Sequence, residues 1–337
     1  MSLLSRRQLF TSASAAFASI AFLPRPARAA QYSFKLANDQ TATHPMNVQA
    51  AAAIKRIFAA SNGALEIKLF PNSELGGDPQ MLAQSRSGAI EFFIVGNNVL
   101  SAVLPTAALM NIPFAFASPK ESMRAANGPL GAYIAAMSEP IGLHKIDGSF
   151  YGGTFQMQNS LRPIESPSDL KGMKMRVPPG AIDVATFKAF DASPAVVSLA
   201  EVYTSLQTHL VDGIEVPLPT LQNFKLYEQV KYCSITNHST LAYFFMANAA
   251  AWKRLPRPLQ EIVEREFAAA AGTASAAFAT QETTIEGTLH GEGIAFSRPA
   301  LDPFREVIRR AGLYEKFRDQ FDPKGWDALE KTTGKLV

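Results

Sequence analysis

From Tyr32 onward the chain switches repeatedly between two hydrophobic periods, and that alternation restricts the fold class before any functional residue is considered. Residues 32–37 read as a strand. Residues 45–61 come next as an amphipathic helix, with Ile54, Ile57 and Phe58 spaced for one face and Asn62-Gly63 as a stop. Residues 65–70 alternate again and end at Pro71-Asn72. A helix over 78–88, opened by Pro79, and a buried strand over 91–95 continue the pattern, with Asn97 and Asn98 at that strand's carboxyl end. Strands separated by helices in this order predict α/β architecture, and 337 residues suffice for two lobes with separate cores.

Further along, Ser118 is placed to cap a helix whose first residue is Pro119. Two extended segments, 142–151 and 154–159, flank Gly152-Gly153, which reads either as a crossover between lobes or as a hairpin turn. The longest helical pattern, 258–290, is interrupted only by Gly272. At ~1.5 Å per residue it reaches close to 50 Å, more than one lobe is wide, so it is expected to touch both. Short helices fill 303–336, and no internal repeat or low-complexity linker is present.

The formal charge of +3 suggests a nucleic-acid binder, but Arg6, Arg7, Arg25 and Arg28 fall in the first 29 residues, which hold no acid, so the remainder carries −1. No basic stripe with interleaved aromatics is left to support nucleic-acid binding. Those first residues read as an export signal: Arg6-Arg7, a small-residue apolar run from Ala13 to Leu23, then Ala27-Arg28-Ala29, with cleavage before Ala30 and release to the periplasm. The arginine pair resembles a twin-arginine signal, although Leu9 stands where phenylalanine is usual; the twin-arginine and general secretory routes both stay open. The apolar run is too short for a membrane anchor. Cys233 is the single cysteine, so an intramolecular disulfide is excluded and a small buried side chain is expected. The five histidines show no ligand spacing, and neither a metal nor a cofactor is expected.

Arg176 is the leading functional candidate. Met173, Met175 and Val177 alternate with Lys174 and Arg176, so the apolar set is expected to face a core and the basic set to face out. Pro178-Pro179 closes the strand and leaves Arg176 near its carboxyl end, where open α/β sheets meet their ligands. A guanidinium there is a two-pronged receptor for a carboxylate. Enzymatic signatures are missing: no G-x-S-x-G elbow, P-loop, H-E-x-x-H or C-x-x-C occurs, and a non-enzymatic protein is expected.

The run from Glu201 to Pro217, E-V-Y-T-S-L-Q-T-H-L-V-D-G-I-E-V-P, is dense and unusual. With the Arg176 segment it resembles the solute-binding proteins of tripartite ATP-independent periplasmic (TRAP) transporters, the DctP type, whose pattern is approximately E-x-Y-x-x-L-Q-x-G-x-V-D-G-x-E-x-P. His209 replaces the usual glycine. Matches also occur at 70–77, 112–116 and 252–256, in order.

The resemblance implies a two-lobed Venus-flytrap fold, with connecting strands and a long helix spanning both lobes. The expected division is 30–153 plus about 242–281 in the first lobe, and 154–241 plus about 282–337 in the second. It also implies that Arg176 clamps the carboxylate of an organic acid, and that a monomer hands this acid to a membrane permease. Some members carry a second arginine where this chain has Gln156, and many have asparagine where it has Val216. Losing these polar partners leans the ligand toward a monocarboxylate with an apolar or aromatic tail, with Phe155, Tyr203, Val216, Phe244 and Phe245 as a candidate wall. Asn38, Asn97, Asn98, Asn237 and His238 are further candidates, and Glu215 reads as a partner for a ligand hydroxyl, as a holder of Arg176 or as half of a structural salt bridge. A C4-dicarboxylate or 2-oxo acid, a periplasmic ligand sensor, and a periplasmic enzyme are the competing readings.

Overall fold

The structure is a computed structural model describing residues 30–336; the expected export signal lies outside the described residues. Two strands of 17 residues each, β4 (Leu143–Asn159) and β8 (Tyr232–Asn248), form its axis. They pair antiparallel from Leu143 opposite Asn248 to Asn159 opposite Tyr232. On one side of the pair, β8 hydrogen-bonds β3 (Phe92–Gly96), and β1 (Tyr32–Ala37) and β2 (Leu65–Phe70) come next in parallel. On the other side, β4 pairs β7 (Gly213–Val216), then come β5 (Lys174–Val177) and β6 (Ser193–Val196), while β9 (Ala295–Ser297) adds to the start of β8. The sheet order is therefore β2-β1-β3-β8-β4-β7-β5-β6, and each half owns one end of the two long strands. This is the α/β architecture the alternating pattern predicts, in the two-lobed arrangement the resemblance implies.

Gly152-Gly153 does not form a hairpin turn. Both flanking segments stay paired with β8, so they make one strand, and its ladder shifts register between Tyr151 and Gly153. Gly153 has φ +111°, and a Cβ there would lie 2.5 Å from the Pro217 Cβ and 2.9 Å from the Phe278 ring. The crossover thus meets both the end of β7 and the long helix at a point where only glycine fits.

That helix, Arg257–Gly291, runs 35 residues without a break. Gly272 costs it some propensity but leaves the ladder intact, and nothing lies within 4 Å of where its Cβ would be. Val263, Phe267, Ala270, Ala271 and Ala274 join the core beside β1 and β3, and Ile285 and Leu289 join the core around β7 and Cys233. The helix therefore serves both halves, as its length predicts. The alanines let it lie close to β4 and to the helix Pro45–Ala60.

The C-terminal segment divides its allegiance. Phe304, on the helix Asp302–Arg310, packs edge-on against Phe190 of the second half at 5.6 Å between ring centres. The helix Pro323–Thr333 instead returns to the first half, where Gly325 sits against the Tyr133 ring and the Arg124 guanidinium donates to Thr332 O at 3.1 Å. The residues of 282–337 thus touch both halves instead of one.

His209, at the family's glycine position, has φ +56°, so the substitution places a branched ring in left-handed backbone. Gly153 is the stricter site. Gly153→Ala should lower stability by about 3 kcal/mol or more, since strain and overpacking add; a chemical-denaturation midpoint equal to that of the parent would contradict this account of the crossover.

Candidate functional site

The parallel strands of the two halves direct their carboxyl ends toward one cleft, and the residues just beyond those ends line it. Asp39 and Gln40 come after β1, Gly96 and Asn98 lie at the end of β3, Pro178 comes after β5, Leu199 after β6, and Val216 and Pro217 close β7. Phe155 of β4 and Leu241 and Tyr243 of β8 form the back. Asp78, the first residue of the helix Asp78–Ser87, faces Leu199 across the opening. The space between these residues is about 380 Å³, part of it open to solvent.

Arg176 lies within this cleft and is only 3% exposed. The alternation of β5 is as expected, with Met175 and Val177 in the core, but the basic residue on the other face points into the cleft instead of toward open solvent. Its Nε donates to Val197 O at 2.8 Å, which fixes the plane of the guanidinium. Among the described residues, neither terminal nitrogen has a protein hydrogen-bond or ion-pair partner. Burial weakens its hold on the proton, while the carboxylates of Glu215, Asp78, Asp183 and Asp39 strengthen it.

Each of these carboxylates pays for the same burial. Desolvation pushes Asp78 up to about 6 against the opposing pull of Arg176 and the Leu199 amide, and holds Asp39 and Asp183 well above the usual range. Glu215 rises to about 8 by burial, although Arg176 pulls it back. Its Oε2 lies 2.7 Å from His238 Nε2, an ion-pair distance, yet burial holds His238 down near 3. The contact is therefore a hydrogen bond sharing one proton and not a pair of full charges.

The sequence profile of bacterial extracellular solute-binding protein, family 7 (DctP) matches residues 36–320. The chain belongs to this family. Family relatives include the 2,3-diketo-L-gulonate-binding periplasmic protein YiaO of Escherichia coli, 32% identical over 201 residues, 60% of this chain and 61% of that protein. The sialic acid-binding periplasmic protein SiaP of Vibrio cholerae is 29% identical over 258 residues, covering 76% of this chain and 79% of that one. An uncharacterized protein y4mM of Sinorhizobium fredii is 30% identical over 261 residues, and the chain spans about half of its length (48%). Among solved structures, a TRAP periplasmic solute binding protein from Xanthobacter autotrophicus with bound β-D-galacturonate superposes with TM-score 0.84 at 25% identity, covering 90% of this chain and 100% of that one. One from Sulfurospirillum deleyianum with bound succinate shares the fold at TM-score 0.83 and 23% identity, over 90% and 99% of the two chains.

In this family 7 chain, Arg176, Phe155, Val216 and Asn98 line the cleft, while the other sequence candidates do not. Strand alternation explains two of them. Phe155 and Tyr243 face the cleft, so their neighbours Gln156 and Phe244 point the opposite way. Gln156 instead exchanges hydrogen bonds with Asn237, 2.7 Å from its Nε2 and 2.9 Å to its Oε1, beside a separate cavity. Phe244 and Phe245 are core residues. Tyr203 donates to Glu228 at 2.7 Å on the outer side of a short helix. Asn38 braces the loop bearing Asp39 and Gln40 through Asn47 and the Gln40 amide, and Asn97 bridges Asn111 and the Ala242 amide. Glu215, whose charge acts on Arg176, and His238, hydrogen-bonded to Glu215, are buried outside the cleft lining. Asp39, Gln40 and Asp78 were missed from the sequence; their place just after a strand or at a helix start is the signal that points to them. Among the described residues, no cluster of three His, Cys, Asp or Glu is placed to hold a metal.

The pair of Glu215 and His238 gives a pH signature. Glu215, with its folded value raised, stabilises the fold below about 4.5 and loses that contribution as pH rises through about 8. His238, with its value lowered, contributes fully above about 6.5 and loses it on acidification toward 3. The two slopes oppose each other between 4.5 and 6.5, and from there to pH 8 the Glu215 loss continues unopposed by His238, in the same direction as those of the raised Asp39 and Asp183. Glu215→Gln should therefore flatten the fall in stability between pH 6.5 and 8; an unchanged slope in denaturation titrations would refute it.

Proposed function

We propose that this family 7 chain captures a small organic acid in the periplasm through Arg176, as the solute-binding subunit of a TRAP transporter, and delivers it to a membrane permease. The observation that carries the reading is the buried guanidinium anchored at Nε by Val197 O, its two terminal nitrogens without a protein partner among the described residues. A carboxylate accepts two parallel hydrogen bonds from that fork at little orientational cost. The named ligands of the relatives, sialic acid and 2,3-diketo-L-gulonate, and those in the neighbouring structures, galacturonate and succinate, share a carboxylate. Binding draws the lobes together, because the cleft takes residues from both.

A monocarboxylate is favoured over a C4-dicarboxylate, since Arg176 is the single cation among the lining residues. Phe155, Leu199, Val216, Leu241 and the Tyr243 ring supply apolar surface for the rest of the molecule. Gln156, turned away from the cleft, contributes nothing to that choice. The protein acts as a monomer, without cofactor and without catalysis in this reading.

Arg176→Ala should weaken binding of the acid by a factor of about 100 to 1,000, the worth of a desolvated bidentate ion pair, while Arg176→Lys, keeping the charge but not the fork, should fall between. Calorimetric titration against a panel of organic acids, with circular dichroism to show both variants folded, is the test. Undiminished affinity in Arg176→Ala would end the carboxylate-clamp reading.

A further inference from the structure

Arg176 is outnumbered in its own cleft, and the excess is arranged by side. The second half presents donors: the free fork of Arg176, with Pro178, Val216 and Leu199 as apolar surroundings. The first half presents acceptors. Asp39 and Asp78 both line the cavity, and among the described residues neither forms an ion pair. Gln40 stands beside them, 1% exposed, with its Nε2 donating to Tyr243 Oη at 2.6 Å and to Asp39 Oδ1 at 3.3 Å. Those two bonds leave Gln40 Oε1, a buried acceptor of a cleft-lining residue, without a partner among the described residues.

A plain organic anion answers only half of this arrangement. Its carboxylate satisfies Arg176 but sets a further anion beside two buried aspartyl groups that burial and, for Asp39, the neighbouring Asp78 already push toward the neutral form; it raises them more and leaves them without an ion-pair partner. Hydroxyl groups could donate to the aspartates, but they leave that charge uncompensated. A cationic nitrogen bearing hydrogens donates to Asp39, Asp78 and Gln40 Oε1 and cancels the charge as well. Phe155 and the Tyr243 ring supply aromatic surface beside the same space, a setting that also favours a cation.

We infer that the ligand is a zwitterionic acid, with its carboxylate at Arg176 and a protonated amine or similar N–H cation at Asp39, Asp78 and Gln40. This rests on the organic-acid reading above and narrows its substrate class. Because the anionic end meets one half and the cationic end meets the other, the molecule itself ties the lobes together.

The test is calorimetric titration of the purified protein with β-alanine, 4-aminobutyrate, 5-aminovalerate, 6-aminohexanoate and the common α-amino acids. Each is compared with the acid of the same skeleton bearing hydrogen or hydroxyl in place of the amine, and with D-galacturonate and succinate. At least one amino acid should bind 30-fold or more tighter than its nitrogen-free and hydroxyl counterparts. Asp39→Asn and Asp78→Asn, checked for folding by circular dichroism, should each reduce that preference to threefold or less, and Arg176→Ala should abolish binding. Failure of every amino acid to bind overturns the inference, as does a preference that survives both asparagine variants. If a nitrogen-free acid binds through Arg176 while the amino acids do not, the zwitterion fails and the organic-acid reading stands; binding indifferent to Arg176→Ala removes both.

Discussion

The antiparallel pairing of β4 with β8 is the constraint on which everything else rests. Each strand is long enough to belong to both halves of the sheet, so one ladder builds the first lobe, crosses, and builds the second. Its alternation then decides what the cleft contains. Phe155 and Tyr243 face inward, and the next residue on each strand is thereby committed to the opposite side. The register shifts near Gly153 bend the ladder where the lobes meet, and the close approach of Pro217 and Phe278 at that glycine ties the bend to the end of β7 and to the long helix.

The electrostatics of the cleft stem from placing one guanidinium out of water. A lone buried charge of this kind costs several kcal/mol, and the usual remedy is a carboxylate in direct contact. Here the neutralising groups are set back: Glu215 and Asp183 outside the cleft lining, Asp39 and Asp78 within it. Arg176 is thus stabilised at a distance while its hydrogen-bonding fork stays free. A direct ion pair would have been worth more to the fold and would have blocked the site. Glu215 illustrates the compromise, since its second oxygen, Oε1, is buried without a partner.

Much of this was legible in the sequence. The strands β1 and β2 fall where the alternating pattern puts them, the long helix spans both halves as its length requires, and Ser118 accepts the Glu121 amide as the expected cap. Arg176 was legible because prolines mark the end of its strand. The remaining candidates were harder for a physical reason: a one-residue step along a strand exchanges cleft for core, and sequence alone did not fix the register of β4 and β8, so Gln156 and Phe244 were placed on the wrong face. Asp39, Gln40 and Asp78 are not legible in the sequence, because a short polar run after a strand looks the same whether it caps, turns or binds. The path of the chain after residue 300 was also unreadable, since surface helices carry little record of which lobe they lean on.

The return of the helix Pro323–Thr333 to the first half has a mechanical consequence. The chain crosses between the halves at β4, at β8, along the helix Arg257–Gly291, and again between Asp302–Arg310 and Pro323–Thr333. Two adjacent strands alone would make a swivel, free to twist as well as to bend. The long helix crosses lying against β4, with Phe278 beside Gly153, and the last crossing runs through the C-terminal helices; together they brace the strand pair against torsion and leave the lobes something close to a single freedom, like a door on a long hinge plate.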